Sequence, residues 1–433
     1  MGSDLNKRNG FDIKDGFGIS EDIIGITAEA EKKALGAYAE IDKNAFINQA
    51  KVMKAFADNR IGAEHFGQTS GYGHDDAGRD AIESVYAQIF ETEDALVRHN
   101  IISGTHALST ALFAVLRPGD TIVAATGKPY DTLEEVIGIR GNAGDGSLAD
   151  FGINYREVEL KNDGGADYDG IKNAVDDTVK AVIIQRSRGY AWRDAFSVSE
   201  INKIIDFVHE IRKDIICIVD NCYGEFVETS EPRGDLVVGS LIKNIGGGHA
   251  QTGGYIAGKS RFVELASYRL SSVGIGKDGG ATLGQNKPML QGLFMAPHIV
   301  AQALKSAYLC SAVFEQMGFE VCPGLDKARG DIITSVKLEN EKLMLAFCEG
   351  IQKGAPVDSY VVPQPWDMPG YGDKIIMAAG AFVQGSSIEL SADGPVKPPY
   401  IVYMQGGLTY ESAKIGIMTA AQNVFEQKRK LGM

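Results

Sequence analysis

The chain has 433 residues, 44% hydrophobic and 23% charged, with 57 acidic residues against 43 basic ones and a formal net charge of −14. This is the composition of a soluble globular protein too long for one ordinary core, so more than one domain is expected. The acidic balance, without a basic cluster beyond short local pairs, argues against nucleic acid and anionic membranes as partners.

In chain order, the segment from Ile26 to about Ala57 is rich in Ala, Glu and Lys with apolar residues at helical spacing, which predicts a long N-terminal helix. A glycine-rich stretch from Gly62 to Gly78 follows and contains Gly71–Tyr72–Gly73–His74, a poor helix and a good binding loop. From Ala81 onward helices and strands alternate. Helix 81–90 leads to a strand at 95–97, helix 105–116, a strand at 121–125 and a helix near 132–137. Strands at 180–185, 215–220, 236–239 and 254–257 come next, with helix 198–212 between the first two. Such alternation predicts an α/β fold with a mostly parallel central sheet covered by helices.

A helix over roughly 298–318 reads as a bridge to a smaller α+β domain. That domain is expected to have strands near 319–321, 331–338 and 401–404 and helices near 341–353 and 410–428. The domains expected are therefore an N-terminal helical segment (1–70), a large ligand-binding domain (71–297), and the bridging helix with the small domain (298–433). The five cysteines are odd in number and show no C-x-x-C spacing, so neither a disulfide framework nor a metal site is expected. No apolar run reaches the roughly 18 residues of a membrane span, and a cytoplasmic location is expected.

Two segments carry the most chemistry. The apolar run Ile215–Val219 ends in Asp220–Asn221, and the run Leu236–Gly239 leads through Ser240 to Lys243 and then Gly246–Gly247–Gly248. An acid at one strand end and a lysine just past a nearby one suit pyridoxal 5′-phosphate (PLP). The acid pairs with the protonated pyridine nitrogen, and the lysine amine forms a Schiff base with the aldehyde. Ser103–Gly104–Thr105 opens the helix ending near Leu116, where free N–H groups favour a phosphate, although the same triplet is also a plain N-cap. Ser240 would add a hydroxyl to that phosphate. Tyr130, at the same sheet edge, can stack on the pyridine and move a proton, or be a core tyrosine. For a substrate carboxylate the candidates are Arg186 and Arg188, past the 180–185 strand, and Lys397; a salt bridge is the plain alternative for each.

The order of these pieces resembles the aspartate-aminotransferase-type (fold type I) PLP enzymes, and within them the cystathionine and methionine γ-lyases of Cys/Met metabolism. Three runs are similar to one bacterial branch, the methionine γ-lyase-like or "aluminium resistance" family. They are Ile184–Gln185–Arg186–Ser187–Arg188–Gly189–Tyr190, Val219–Asp220–Asn221–Cys222–Tyr223–Gly224–Glu225–Phe226, and Gly385 to Pro395. The resemblance covers about Ala28 to Lys428. It implies Lys243 as the PLP lysine, Asp220 at the pyridine nitrogen, Gly104, Thr105 and Ser240 at the phosphate, and Tyr130 stacked on the ring. It also implies dimers that share active sites within a homotetramer, Tyr72 reaching the phosphate of a neighbouring subunit. Two departures stand out: His74 replaces the arginine of the γ-lyases' Tyr-x-Arg element, and Ile242 replaces a threonine beside the lysine.

The activity implied is a PLP-dependent carbon–sulfur lyase performing β- or γ-elimination on a sulfur-containing amino acid. The alternatives are an aminotransferase, aldolase or γ-replacement synthase on the same cofactor, or a weakly catalytic PLP-fold protein in a stress-response or scaffolding role. A nicotinamide enzyme is disfavoured, because no G-x-G-x-x-G opens a helix after the first strand.

Overall fold

The computed structural model describes residues 12–433. The chain divides into two compact units. One comprises Asn44–His298 with Arg329–Asp331; the other comprises the chain up to Lys43, Ile299–Ala328 and Ile332–Met433.

The first unit is built on seven strands, β1 (Asp94–Arg98), β2 (Thr121–Ala124), β3 (Asn154–Glu157), β4 (Val179–Gln185), β5 (Ile216–Asp220), β6 (Leu236–Ser240) and β7 (Gly254–Gly258). Their order across the sheet is β1-β7-β6-β5-β4-β2-β3. The pairs β3–β2, β2–β4, β4–β5 and β5–β6 are parallel, whereas β7 runs antiparallel to both β6 and β1. Successive residues of the central strands are buried on both faces. Ile122, Ile183, Ile218, Val238 and Ile256 join one core with Leu108, Leu112 and Val263 of the flanking helices Gly104–Val115 and Ser260–Leu270. Their neighbours Val123, Val182, Val219 and Val237 are equally buried on the opposite face. Each such aliphatic contributes about 1.5–3 kcal/mol, a surplus that lets the carboxyl edge of the sheet carry buried polar side chains.

The second unit has five strands, β8 (Glu320–Cys322), β9 (Thr334–Lys337), β10 (Ile375–Ala378), β11 (Ser391–Pro395) and β12 (Ile401–Gln405), in the order β10-β11-β12-β9-β8 and antiparallel throughout. Leu343, Phe347 and Ile351 of helix Glu341–Lys353 and Ile417 and Val424 of helix Tyr410–Lys430 pack with Val336, Ile376, Ala392 and Val402 of this sheet.

Several elements differ from the expectations. The helix expected from His298 starts at Asn286 and runs to Gln316 with Pro297 inside it. Buried Leu290, Leu293, Ala296 and Val300, at helical spacing, continue through the proline, so burial outweighs the one lost N–H. Helix Ala77–Phe90 begins four residues early because Asp76 caps it, Oδ1 accepting from Arg79 N at 2.9 Å. The N-terminal helix is longer than expected and spans Glu21–Asp58. Strands β3, β10 and β11 were not expected; β3 is a polar edge strand, and β11 reads Ser-Ala-Asp-Gly-Pro. Among the described residues no helix is long and apolar enough to cross a membrane.

The two helices of the second unit meet at a glycine. A Cβ on Gly350 would lie 2.3 Å from Ala420 Cα and 2.6 Å from Ala420 N, so Gly350→Ala must force the helices apart. The variant is expected to lose about 1–3 kcal/mol of stability, read as a lower urea midpoint. An unchanged midpoint would refute the close approach.

Candidate active site

The parallel arrangement brings the carboxyl ends of β4, β5 and β6 to one edge, with Gln185 beside Asp220 and Asp220 beside Val238. Ser240 ends β6, and Lys243 follows it at the start of a short 3-10 turn, Asn244–Gly246. Onto this edge comes the N-terminus of helix Gly104–Val115. Their closeness is measured at Gly104. A Cβ there would stand 3.0 Å from Cys222 Sγ, 3.7 Å from Ser240 Cβ and 4.0 Å from Lys243 Nζ. Three segments far apart in sequence, around 104, 222 and 240–243, therefore meet at one glycine, which leaves the space a ligand needs.

The polar atoms here fall into two groups. Some are committed within the protein. Ser103 Oγ accepts the His106 N–H at 3.0 Å as the helix cap, Thr105 Oγ1 lies 3.0 Å from the Tyr130 hydroxyl and 2.9 Å from Thr132 Oγ1, and the Tyr130 N–H donates to Gln185 Oε1 at 3.1 Å. Others are uncommitted: Ser240 Oγ is buried with no hydrogen-bond partner in the protein. An orphaned hydroxyl beside a helix N-terminus and a lysine fits a phosphate oxygen, and the buried carboxylate fits a protonated ring nitrogen. The residues present thus suit pyridoxal phosphate.

Asp220 is buried and accepts the Cys222 N–H at 3.1 Å. Burial pushes its carboxyl above the usual range, and the nearby Lys243 opposes that shift. Burial works against a charge on Lys243, but Cys222, Tyr223, Asp220 and Tyr130 together outweigh it and hold the ammonium well above its ordinary value. Burial, then the charge of Asp220, raises Tyr130, so its phenol keeps its proton.

The remaining sequence candidates lie elsewhere. Arg186 is fully buried, its guanidinium 2.8 Å from Asn221 Oδ1, 2.9 Å from Glu228 Oε1 and 3.5 Å from Glu231 Oε2. Arg188, equally buried, lies 3.4 Å from Asp331 Oδ1, while Asp331 Oδ2 accepts from Ser187 Oγ at 2.9 Å. Stripping a buried arginine from its carboxylate costs about 3–5 kcal/mol, so each of these pairs is held firmly in place. Lys397 is exposed and pairs with Asp373 at 2.6 Å, a surface contact worth little. Tyr72 is 82% exposed and lines a cavity of about 540 Å³ with Arg98, His99 and Ser271. Asp220, Ser240 and Lys243 do not line that cavity.

A family model described as methionine gamma-lyase matches residues 23–425. The chain belongs to the methionine gamma-lyase family. It is 49% identical over 403 residues, 92% of its own length and 96% of the other, to the uncharacterised protein YnbB of Bacillus subtilis. The crystal structure of a carbon–sulfur lyase involved in aluminium resistance from Clostridium novyi superposes with a TM-score of 0.91 at 50% identity, covering 94% of this chain and 97% of that one. A pyridoxal-5′-phosphate-dependent protein, YhfS of Escherichia coli, matches at 15% identity, 88% coverage of this chain, 96% of that one and a TM-score of 0.59, which shows a shared fold. The architecture is the fold-type I arrangement expected from the sequence.

In this methionine gamma-lyase family member Cys222, Tyr223 and Glu225, which in sequence are only part of a matching run, also stand at the site. Cys222 reaches the Gly104 helix terminus, and Lys243 Nζ lies over the Tyr223 ring. Glu225 is fully buried; Oε1 accepts the Tyr255 hydroxyl at 2.9 Å, and Oε2 has no hydrogen-bond partner in the protein. An acid within an eight-residue family match was the available signal.

Burial, joined by the neighbouring Glu231, pushes Glu225 up to about 8. The folded protein therefore holds this proton at pH values where the unfolded chain has lost it. The associated stability is complete below the unfolded value of about 4.3 and disappears as pH rises through about 8. Glutamine is neutral at every pH. Stability of Glu225→Gln relative to wild type should thus rise with pH from about 5 to 8, by up to about 1.4 kcal/mol per unit. Denaturation curves that keep a constant offset over that range would rule out the buried acid.

Proposed function

We propose that this protein is a PLP-dependent carbon–sulfur lyase that eliminates a β- or γ-thiol from an amino acid of the cystathionine or methionine class. The observation that carries the reading is the meeting of Asp220, Ser240, Lys243 and the Gly104 helix terminus around one small space, in a chain of the methionine gamma-lyase family. The likeness to the Clostridium novyi carbon–sulfur lyase supports a lyase over the other reactions of this cofactor.

In this reading Gly104, Thr105 and Ser240, with the helix N-terminus and Ser103 at its cap, hold the phosphate. Asp220 pairs with the ring nitrogen, and Tyr130 lies against the ring. When bound, pyridoxal phosphate supplies an aldehyde that captures the substrate amine and a ring that takes up charge from the α-carbon. Asp220 keeps the ring nitrogen protonated, which the attraction between opposite charges in a dry setting favours. The Lys243 amine removes the α-proton and, for a γ-leaving group, a second proton from the β-carbon. Tyr130, held protonated by burial, donates to the departing sulfur. The enamine left behind hydrolyses to an oxoacid and ammonia.

The functional assembly is proposed to be a homotetramer of dimers that share active sites, with Tyr72 reaching a neighbour's phosphate. Exposed Tyr72, Ile102, Val273, Ile275 and Leu283 on the unit that carries the site support burial against another copy. A cytoplasmic location is supported by five cysteines without disulfides.

Purified wild-type protein incubated with the cofactor is expected to gain a visible absorption band and to release ammonia and oxoacid from a sulfur amino acid. Lys243→Ala should lose the band and at least about 10³-fold in turnover, the scale of a lost catalytic base. Retention of either by the variant would overturn the assignment.

A further inference from the structure

The loop after Asp220 adopts a conformation that side chains resist. Tyr223 has φ +72° and Phe226 φ +61°, in the left-handed region that bulky residues avoid. Such geometry persists only where its surroundings over-determine it, and here the restraints can be named. Asn244, fully buried and next to Lys243, donates its amide to the Tyr223 carbonyl at 2.9 Å and to the Glu225 carbonyl at 3.1 Å. Glu231 accepts the Phe226 N–H at 2.8 Å, and Tyr255 donates to Glu225 at 2.9 Å. The product of this bracing is a single contact: Lys243 Nζ stands 4.1 Å from the centroid of the Tyr223 ring.

Resting on the reading of the site given above, we propose that Tyr223 is a positioning residue for Lys243. Its ring face holds the lysine as an ammonium while the amine carries the substrate's proton, and Asn244 locks ring and lysine into one unit. In each turnover Lys243 is freed and loaded with a proton while Asp220 is engaged with the ring nitrogen. A buried ammonium needs compensation at that moment. A second carboxylate would bind the proton and hold it, whereas an aromatic face attracts the cation without accepting its proton. The strain at Tyr223 is the cost of presenting that face.

The ionisable groups facing the amine are Asp220, Cys222 and Glu225 from β5 and its following loop, Tyr223 itself, and Tyr130 across the pocket. All except Tyr223 are unchanged in the variants that test the idea. Tyr223→Phe keeps the ring face; Tyr223→Leu removes it. Tyr223→Asn also removes it and tolerates the left-handed backbone, which guards against a leucine variant that fails to fold.

The first readout needs no turnover: the pH dependence of cofactor capture by the ligand-free protein, followed by visible absorbance. Without the ring the ammonium loses support, the amine deprotonates more readily, and the midpoint should move about one unit to lower pH in the Leu and Asn variants. Phe should match wild type. The second readout is kinetic: kcat should fall about ten- to thirty-fold in Leu and Asn, the range for a cation removed from a ring in a dry site, with KM nearly unchanged. Leu and Asn variants with the wild-type midpoint, or a Phe variant shifted as far as Leu, would overturn the inference alone. Wild-type protein that captures no cofactor would overturn the reading of the site, and this inference with it.

Discussion

An amine and a carboxyl group must share one water-poor place, and most of the large unit is arranged around that demand. Neither group is comfortable there by itself, since burial pushes Asp220 toward its neutral form and works against the charge on Lys243. Their mutual attraction offsets part of the desolvation, and in the proposed site the cofactor's phosphate and protonated ring nitrogen would offset more. A sheet buried on both faces supplies the rigidity. Its parallel strands deliver their carboxyl ends to one edge, where Asp220 and Ser240 sit on neighbouring strands. The antiparallel strand β7 has a local cause. Residues 241–253, between β6 and β7, hold only the short 3-10 turn Asn244–Gly246 and no crossover helix, so the chain turns back, and Lys243 rides on that turn.

Beneath the site lies a second polar layer. Arg186, Asn221, Glu228 and Glu231 are linked by contacts of 2.8–3.5 Å, and Glu225 and Tyr255 adjoin them. A Cβ on Gly224 would collide with the Arg186 side chain at 2.4 Å, so the arginine runs directly against the loop that follows Asp220. Replacing such a network with apolar residues is often neutral for stability; its value here is in fixing the loop that carries Cys222 and Tyr223. Arg188 does the same at longer range, tying the 186–196 segment to Asp331.

The proposed phosphate cradle combines pieces that are unremarkable alone. Ser103 is an ordinary helix cap, Gly104 an ordinary first residue, and Thr105 a hydroxyl shared with Tyr130 and Thr132. What distinguishes the place is Ser240, a buried hydroxyl whose hydrogen bond the protein does not provide. A Cβ at position 104 would press on Cys222 Sγ at 3.0 Å and fill the space in front of Ser240 and Lys243, so its absence keeps that space open.

Much of this was legible in the chain. Apolar runs ending in Asp220 and in Ser240–Lys243 announced buried strands with chemistry at their ends, and those strands are β5 and β6. Strands escaped where the pattern was weak: β3 is a polar edge strand, and β11 contains glycine and proline. The bridging helix was expected from His298, although the apolar spacing runs back through Pro297 to its start at Asn286. The arginines were harder still. From sequence, Arg186 and Arg188 stand at a strand end facing a ligand site; their partners lie 42 and 143 residues further along. Hydrophobic periodicity records which face of an element is buried, and so it determined the strands, the helices and the strand ends where ligands gather. It carries no record of which charge meets which across a fold, because that depends on distances between segments remote in the chain. Tertiary structure alone decided that the arginines meet Glu228 and Asp331, that β7 reverses, and that the amine of Lys243 rests on the ring of Tyr223.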